Sequence, residues 1–260
     1  MLTLFHRDLG GQGLSPLIIL HGLLGSSRNW QTTGRDLALT HHVLTLDARN
    51  HGESAHADGM GYAEMTADLL GWLDANVSGP VTLLGHSMGG KTAMRFACRH
   101  PEKVARLIVV DIAPKTYRWA QHRAEFAAMN ELDLATLKSR GEAEQRMEAT
   151  VPNWAMRKFL ATNLSRSAEG GWRWQVNLPV LTAALSELEA NPLDADDNFT
   201  GPTLFIAGGK SDYVGPNDHA GIRRHFPQAT IDVLAGAGHN PHMDSREEFV
   251  RTVNSACLGN

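Results

Sequence analysis

The chain has 260 residues, 42% of them hydrophobic and 20% charged, with a net charge of −4. That suits one large α/β domain, or two small ones, with ample core. No basic stripe points to nucleic acid (Arg223-Arg224 and Arg99-His100 read as solvated helix faces), and no stretch approaches the ~18 uninterrupted apolar residues of a membrane span.

In chain order, Leu2 to Phe5 can form an antiparallel edge strand. No basic region precedes a long apolar run there, so no secretory signal is expected. Leu17-Ile18-Ile19-Leu20 predicts a strand, with a helix near 28–40. Val43-Leu44-Thr45-Leu46 and a helix near 62–76 follow, then Val81-Thr82-Leu83-Leu84 with a helix over 89–99, then Leu107-Ile108-Val109-Val110. Most of these strands are continuous apolar runs, as suits strands buried on both faces. The rhythm breaks at Pro114. From there to about Asn198 the chain reads as helical and polar, without a good strand, and carries Trp119, Phe126, Trp154, Phe159, Trp172 and Trp174. Alternation resumes with Thr203-Leu204-Phe205-Ile206, a helix near 218–226, Ile231-Asp232-Val233-Leu234 and a helix over 245–257. The expectation is a mostly parallel central sheet with helices on both faces, built from 1–113 and 200–260, with a helical cap over 114–199 inserted after the strand ending at Asp111. Cys98 and Cys257 lie far apart without C-x-x-C spacing. Two reduced thiols and a cytoplasmic location are expected.

Ligands of open α/β sheets bind at the carboxyl ends of the strands. The chemistry is therefore sought in the loops after Leu20, Leu46, Leu84, Val110, Ile206 and Leu234. Gly85-His86-Ser87-Met88-Gly89 stands between a strand and a helix, the context of a nucleophile elbow. The alternative reading makes Ser87 a helix cap. A serine hydroxyl needs a base. His239, in Gly236-Ala237-Gly238-His239-Asn240 after the last strand, has the place and chain order for it. His86 is expected to pack beside the nucleophile, and His242 lacks the companions of a metal ligand.

Two aspartates compete to orient the imidazole. Asp111 ends a strand; Asp212 follows a later one, in Gly208-Gly209-Lys210-Ser211-Asp212-Tyr213-Val214. In a G-x-x-D-x-x-V count the acid's place falls on Ser211, one residue from Asp212. This favours Asp111, with Asp212 as the alternative. For the oxyanion, the N–H of Met88 sits at a helix N-terminus, and the N–H of Leu23 follows His-Gly in His21-Gly22-Leu23-Leu24-Gly25. The polar run from Asp47 to Ser54 reads as a hydrogen-bonded structural loop beside the elbow.

Taken together, 21–25, 47–54, 85–90 and 236–239 resemble the α/β-hydrolase superfamily over nearly the whole chain. Asp-Ala-Arg-Asn-His-Gly (47–52), Gly-His-Ser-Met-Gly-Gly-Lys (85–91) with Asp-Ile-Ala-Pro (111–114), and Gly-Trp-Arg-Trp-Gln-Val-Asn-Leu (171–178) resemble small-cap bacterial YbfF-like carboxylesterases. The resemblance implies hydrolysis of carboxylic esters by a Ser-His-Asp triad, without a cofactor. It also supports Asp111, while Asp at 212 departs from the group's pattern. The partner is then a small-molecule ester, with short to medium acyl chains. Trp119, Trp154, Phe159 and Trp174 are candidates to line the substrate site; the alternative is that each only packs the cap. Acyl-thioester cleavage, and carbon–carbon hydrolysis or perhydrolysis, use the same triad. A non-catalytic ligand-binding protein is the rival of a different class. Oligomeric state is not legible.

Overall fold

The computed structural model describes residues 2–168 and 170–258. Its first strands are β1 (His6–Asp8), β2 (Pro16–Leu20), β3 (His42–Leu46), β4 (Val81–His86) and β5 (Val104–Val110). The later ones are β6 (Leu164–Arg166), β7 (Trp172–Trp174), β8 (Thr203–Gly208) and β9 (Ala229–Leu234). A seven-stranded sheet runs in the order β1-β3-β2-β4-β5-β8-β9, with only β1 antiparallel to its neighbour.

The helices before the insertion are α1 (Gln31–Leu37), α2 (Tyr62–Asn76) and α3 (Met88–Arg99). The segment between β5 and β8 holds α4 (Ala120–Glu131), α5 (Arg140–Arg146), α6 (Trp154–Ala161), α7 (Leu178–Ala183) and α8 (Leu185–Glu189). The chain closes with α9 (His219–His225), α10 (Pro241–Asp244) and α11 (Arg246–Leu258). Among the described residues no helix is long and apolar enough to cross a membrane.

The apolar runs are explained by a sheet covered on both sides. Successive side chains point to opposite faces. Leu17, Ile19, Val43, Leu84, Ile108 and Val110 join Trp30, Leu37, Phe249 and Val253 in one cluster. Ile18, Leu44, Leu83, Leu107 and Val109 join Met65, Leu69, Met94 and Phe96 in the other. Each such side chain, wholly withdrawn from water, contributes roughly 1.5–3 kcal/mol before the cost of ordering it.

Two local expectations are corrected. The edge strand begins at His6, not at Leu2. Residues 3–5 bond instead to the loop after β3: Phe5 donates its N–H to Ser54 Oγ at 2.8 Å, and Asp47 N–H reaches Phe5 O at 2.9 Å. The inserted segment is also not wholly helical. β6 and β7 pair antiparallel, Leu164 opposite Trp174. Trp172-Arg173-Trp174 carries the two-residue alternation of a strand, and Gly170, at φ +86°, supplies the left-handed turn before it.

Candidate active site

The sheet register brings the site together. Gly85 and His86 of β4 stand opposite Val109 and Val110 of β5, so Ser87 and Asp111 leave adjacent strands at the same level. Ser87 N–H donates to Val110 O at 3.1 Å. Both residues have left-handed backbones, φ +52° and +49°. Non-glycine residues held there cost of order 1–3 kcal/mol, and such strain concentrates at functional sites. The turn also requires its glycines. A Cβ on Gly85 would stand 2.2 Å from Gly89 O, and one on Gly89 would stand 2.5 Å from Leu20 O.

Ser87 Oγ lies 3.1 Å from His239 Nε2. The other ring nitrogen, Nδ1, donates to Asp111 Oδ2 at 2.7 Å. The Asp111 carboxylate is buried. It accepts two further bonds, from Gly208 N–H to Oδ1 at 2.9 Å and from the Ser211 hydroxyl to Oδ2. Three donors hold one carboxylate in the orientation that fixes the imidazole. Asp212 is exposed and takes no part in this arrangement.

In the sequence, Ser211 occupies the place counted for an acid. The structure gives that place a donor instead. A hydroxyl after β8 supports the carboxylate at the end of β5. Tyr213, also unassigned from sequence, stacks on His239 with ring centroids 3.7 Å apart and planes 20° apart. Burial pushes its phenol up to about 12, so it remains neutral. His86 donates from Nε2 to His239 O at 2.7 Å, pinning the loop that carries the imidazole. Burial pushes His86 down to about 3, assisted by the neighbouring His239, and so keeps it uncharged.

Of the candidate oxyanion donors, Met88 follows Ser87 at the start of α3, and Leu23 follows Gly22, where an added Cβ would stand 3.3 Å from Ser87 Cβ. Among the described residues neither the Leu23 nor the Met88 N–H donates to another group of the chain. The loop bearing Leu23 is held from behind by the 47–54 run. Leu24 N–H donates to His51 Nε2 at 3.2 Å, and Ala48 N–H donates to His21 Nε2 at 3.0 Å. Within that run Asp47 accepts from Ser27 and Glu53 N–H, and Arg49 pairs with Asp68 at 2.6 Å. Burial lowers both His21 and His51, the latter to about 3. Both rings are thereby held neutral, and the 47–54 run is hydrogen-bonded throughout against the loop bearing Leu23.

The geometry coincides with a known family. An alpha/beta hydrolase fold family model matches residues 15–245. The chain belongs to the α/β-hydrolase family. It is 38% identical to a mouse protein named sn-1-specific diacylglycerol lipase ABHD11, over 98% of this chain and 85% of that one. It is 34% identical to Esterase YbfF of Escherichia coli, over 92% of this chain and 91% of the relative. A solved structure described as a marine microorganism esterase superposes with a TM-score of 0.94 at 37% identity, covering 97% of this chain and 98% of the other.

A cleft opens beside Ser87 and His239. It measures about 340 Å³ and is lined from the core by Leu23, Trp30, Ser87 and His239, and from the inserted segment by His122, Asn153, Met156 and Phe159. Of the four aromatics expected to line it, only Phe159 does. Trp119 is buried away from the cleft, beside Tyr117. Trp154 is 58% exposed, with Lys158 Nζ over its ring at 4.3 Å. Trp174 lines a separate open groove with Met129, Arg173 and Leu178. Helix rotation and hairpin pairing chose their faces, and neither is written in residue type alone. His242 stacks on Trp30, centroids 4.0 Å apart, as part of the cleft wall.

Proposed function

We propose that this chain is a serine esterase that hydrolyses carboxylic esters of short to medium acyl length through Ser87, His239 and Asp111. The observation that carries this reading is the continuous relay from Ser87 Oγ to His239 to a buried, triply supported Asp111, at the floor of an accessible cleft. Ser87 attacks the ester carbonyl while His239 Nε2 takes its proton. The N–H groups of Leu23 and Met88 stabilise the oxyanion. His239 then protonates the leaving alcohol, and the acyl group remains on Ser87. Water, deprotonated by the same imidazole, releases the acid. The chemistry requires no cofactor. A thioester presents the same carbonyl and is the alternative substrate class. Carbon–carbon hydrolysis and perhydrolysis on the same triad are further alternatives.

The lipase and esterase names of the relatives place ester bonds of small molecules and glycerolipids at the head of the substrates to test. The decisive experiment has two arms. Incubation with a fluorophosphonate, followed by peptide mass spectrometry, is expected to show one adduct at Ser87. A panel of p-nitrophenyl esters from acetate to decanoate is expected to show turnover that Ser87→Ala abolishes. Turnover that survives Ser87→Ala overturns the proposal. A binding protein without turnover would show neither adduct nor hydrolysis.

A further inference from the structure

Lys91 lies one helical turn beyond the candidate nucleophile, its N–H bonded to Ser87 O at 3.0 Å. Its side chain is fully buried, and the relay above does not use it. Nζ donates to the carbonyls of Leu188, Glu189 and Ala190 at 3.2, 3.0 and 2.7 Å. It also lies 5.6, 4.9 and 5.2 Å from the ring centroids of Tyr62, Tyr117 and Trp119. Three acceptors match the three N–H groups of an ammonium; a neutral amine has only two. Cation–π contact with three rings and the carbonyl end of α8 add to the attraction. Burial pushes the group down to about 7, and Glu189 opposes that shift.

The partners of Lys91 come from both connections between the core and the inserted segment. Tyr117 and Trp119 belong to the outgoing connection before α4. Leu188 to Ala190 belong to the returning one at the end of α8. The two are also joined directly: Tyr117 N–H donates to Glu189 O at 2.8 Å, and Trp119 N–H donates to Glu189 Oε1 at 3.0 Å. Arg123 holds the other Glu189 oxygen, and Tyr62 OH reaches Leu188 O at 2.6 Å. The junction continues toward the imidazole, since Tyr117 OH donates to Tyr213 O at 2.7 Å and Tyr213 stacks on His239.

We propose that Lys91 is a positioning residue that clamps both connections of the inserted segment to the nucleophile helix and thereby sets the height of the roof over the cleft. A buried ammonium is an expensive way to fill space. Its return here is directional: it binds carbonyls of one connection and ring faces of the other from a single point, which an apolar side chain cannot do. Met156 and Phe159, on the roof, are the walls a longer acyl chain would touch. An acetyl group carries one methyl beyond the carbonyl and gains little from them.

This inference rests on the esterase reading for its kinetic test, and a second readout frees it from that dependence. Lys91→Met keeps an unbranched side chain and removes the charge. The KM for p-nitrophenyl decanoate is expected to rise about tenfold, while kcat for p-nitrophenyl acetate falls by no more than about threefold. Hydrogen exchange is expected to accelerate in 114–123 and 185–195 and to stay unchanged in β5 and α11. Lys91→Gln, which retains amide donors, is expected to fall between wild type and Lys91→Met, and replaces it if the methionine variant does not fold. A decanoate KM within twofold of wild type with unchanged exchange in both connections overturns the clamp. So does uniform acceleration of exchange with both esters losing kcat together, the mark of a general stability defect. If the wild-type chain hydrolyses neither ester, the esterase reading fails, and the exchange comparison alone decides the clamp.

Discussion

Replacing Asp111 with Asn tests the relay at its least ambiguous point. Asp111 offers two acceptor oxygens to three donors: Gly208 N–H on Oδ1, and Ser211 O–H with His239 Nδ1–H on Oδ2. An asparagine amide has one oxygen and one NH₂. With its oxygen toward Gly208, its NH₂ faces His239 Nδ1, which must then become the acceptor. The ring proton moves to Nε2, and the imidazole can no longer take a proton from Ser87. With the amide flipped, NH₂ confronts the buried Gly208 N–H, donor against donor, at a cost of about 1–3 kcal/mol. That penalty alone makes the competent orientation roughly 5- to 150-fold rarer. The lost carboxylate charge no longer stabilises the imidazolium, and the combined fall in kcat is expected to reach about 10³–10⁴. Asp212→Asn, in an exposed side chain, is expected to stay within about twofold of wild type. Steady-state hydrolysis of p-nitrophenyl butyrate measures both variants, with circular dichroism to verify that each is folded. An Asp111→Asn enzyme within tenfold of wild type, or a collapse confined to Asp212→Asn, refutes this reasoning.

Ser211→Ala removes one charged hydrogen bond from Asp111 and is expected to lower kcat about tenfold with little change in KM; an unchanged kcat denies the hydroxyl any part in holding the carboxylate. His86→Phe keeps an aromatic ring against Trp30 and His242 but loses the donor to His239 O, and stopped-flow acylation is expected to slow about tenfold. Phe159→Ala opens the roof wall and is expected to raise KM for decanoate more than for acetate, so equal effects on the two esters would remove Phe159 from the acyl site. Acid should unfold the protein early. His51 and His86 are held neutral by burial, each down to about 3. Their unfolded value is about 6.5, so below that pH the unfolded chain binds protons that the folded chain refuses. Each histidine then removes roughly 1.4 kcal/mol of stability per pH unit, until the pH reaches the folded value. Calorimetry at pH 7, 5.5 and 4.5 should show a steadily falling melting temperature, and a constant one contradicts the neutral burial.

Much of the architecture is legible in the residues because the signals are local. A strand covered on both faces is apolar at nearly every position, with an occasional threonine, and the runs at 17–20, 43–46, 81–84, 107–110 and 203–206 lie within strands of the sheet. A tight strand-to-helix turn must have glycine where a Cβ would strike backbone, which marks Gly85 and Gly89 around Ser87. His239 is legible for a similar reason, as a polar residue in a glycine-rich loop after the last strand. The short β6–β7 hairpin escapes because three-residue strands carry too little periodicity.

The sequence by itself therefore determined the order of the strands of the central sheet, the strained serine corner and the imidazole loop, because spacing and backbone sterics act over a few residues. Only the tertiary structure decided which aspartate faces His239, that Ser211 supports it, that Phe159 but not three tryptophans lines the cleft, and that Lys91 gathers both connections of the inserted segment. Those outcomes depend on the register between β4, β5 and β8 and on the rotation of each helix against its neighbours. Residues a hundred positions apart set them, and no local pattern encodes the direction in which a side chain finally points.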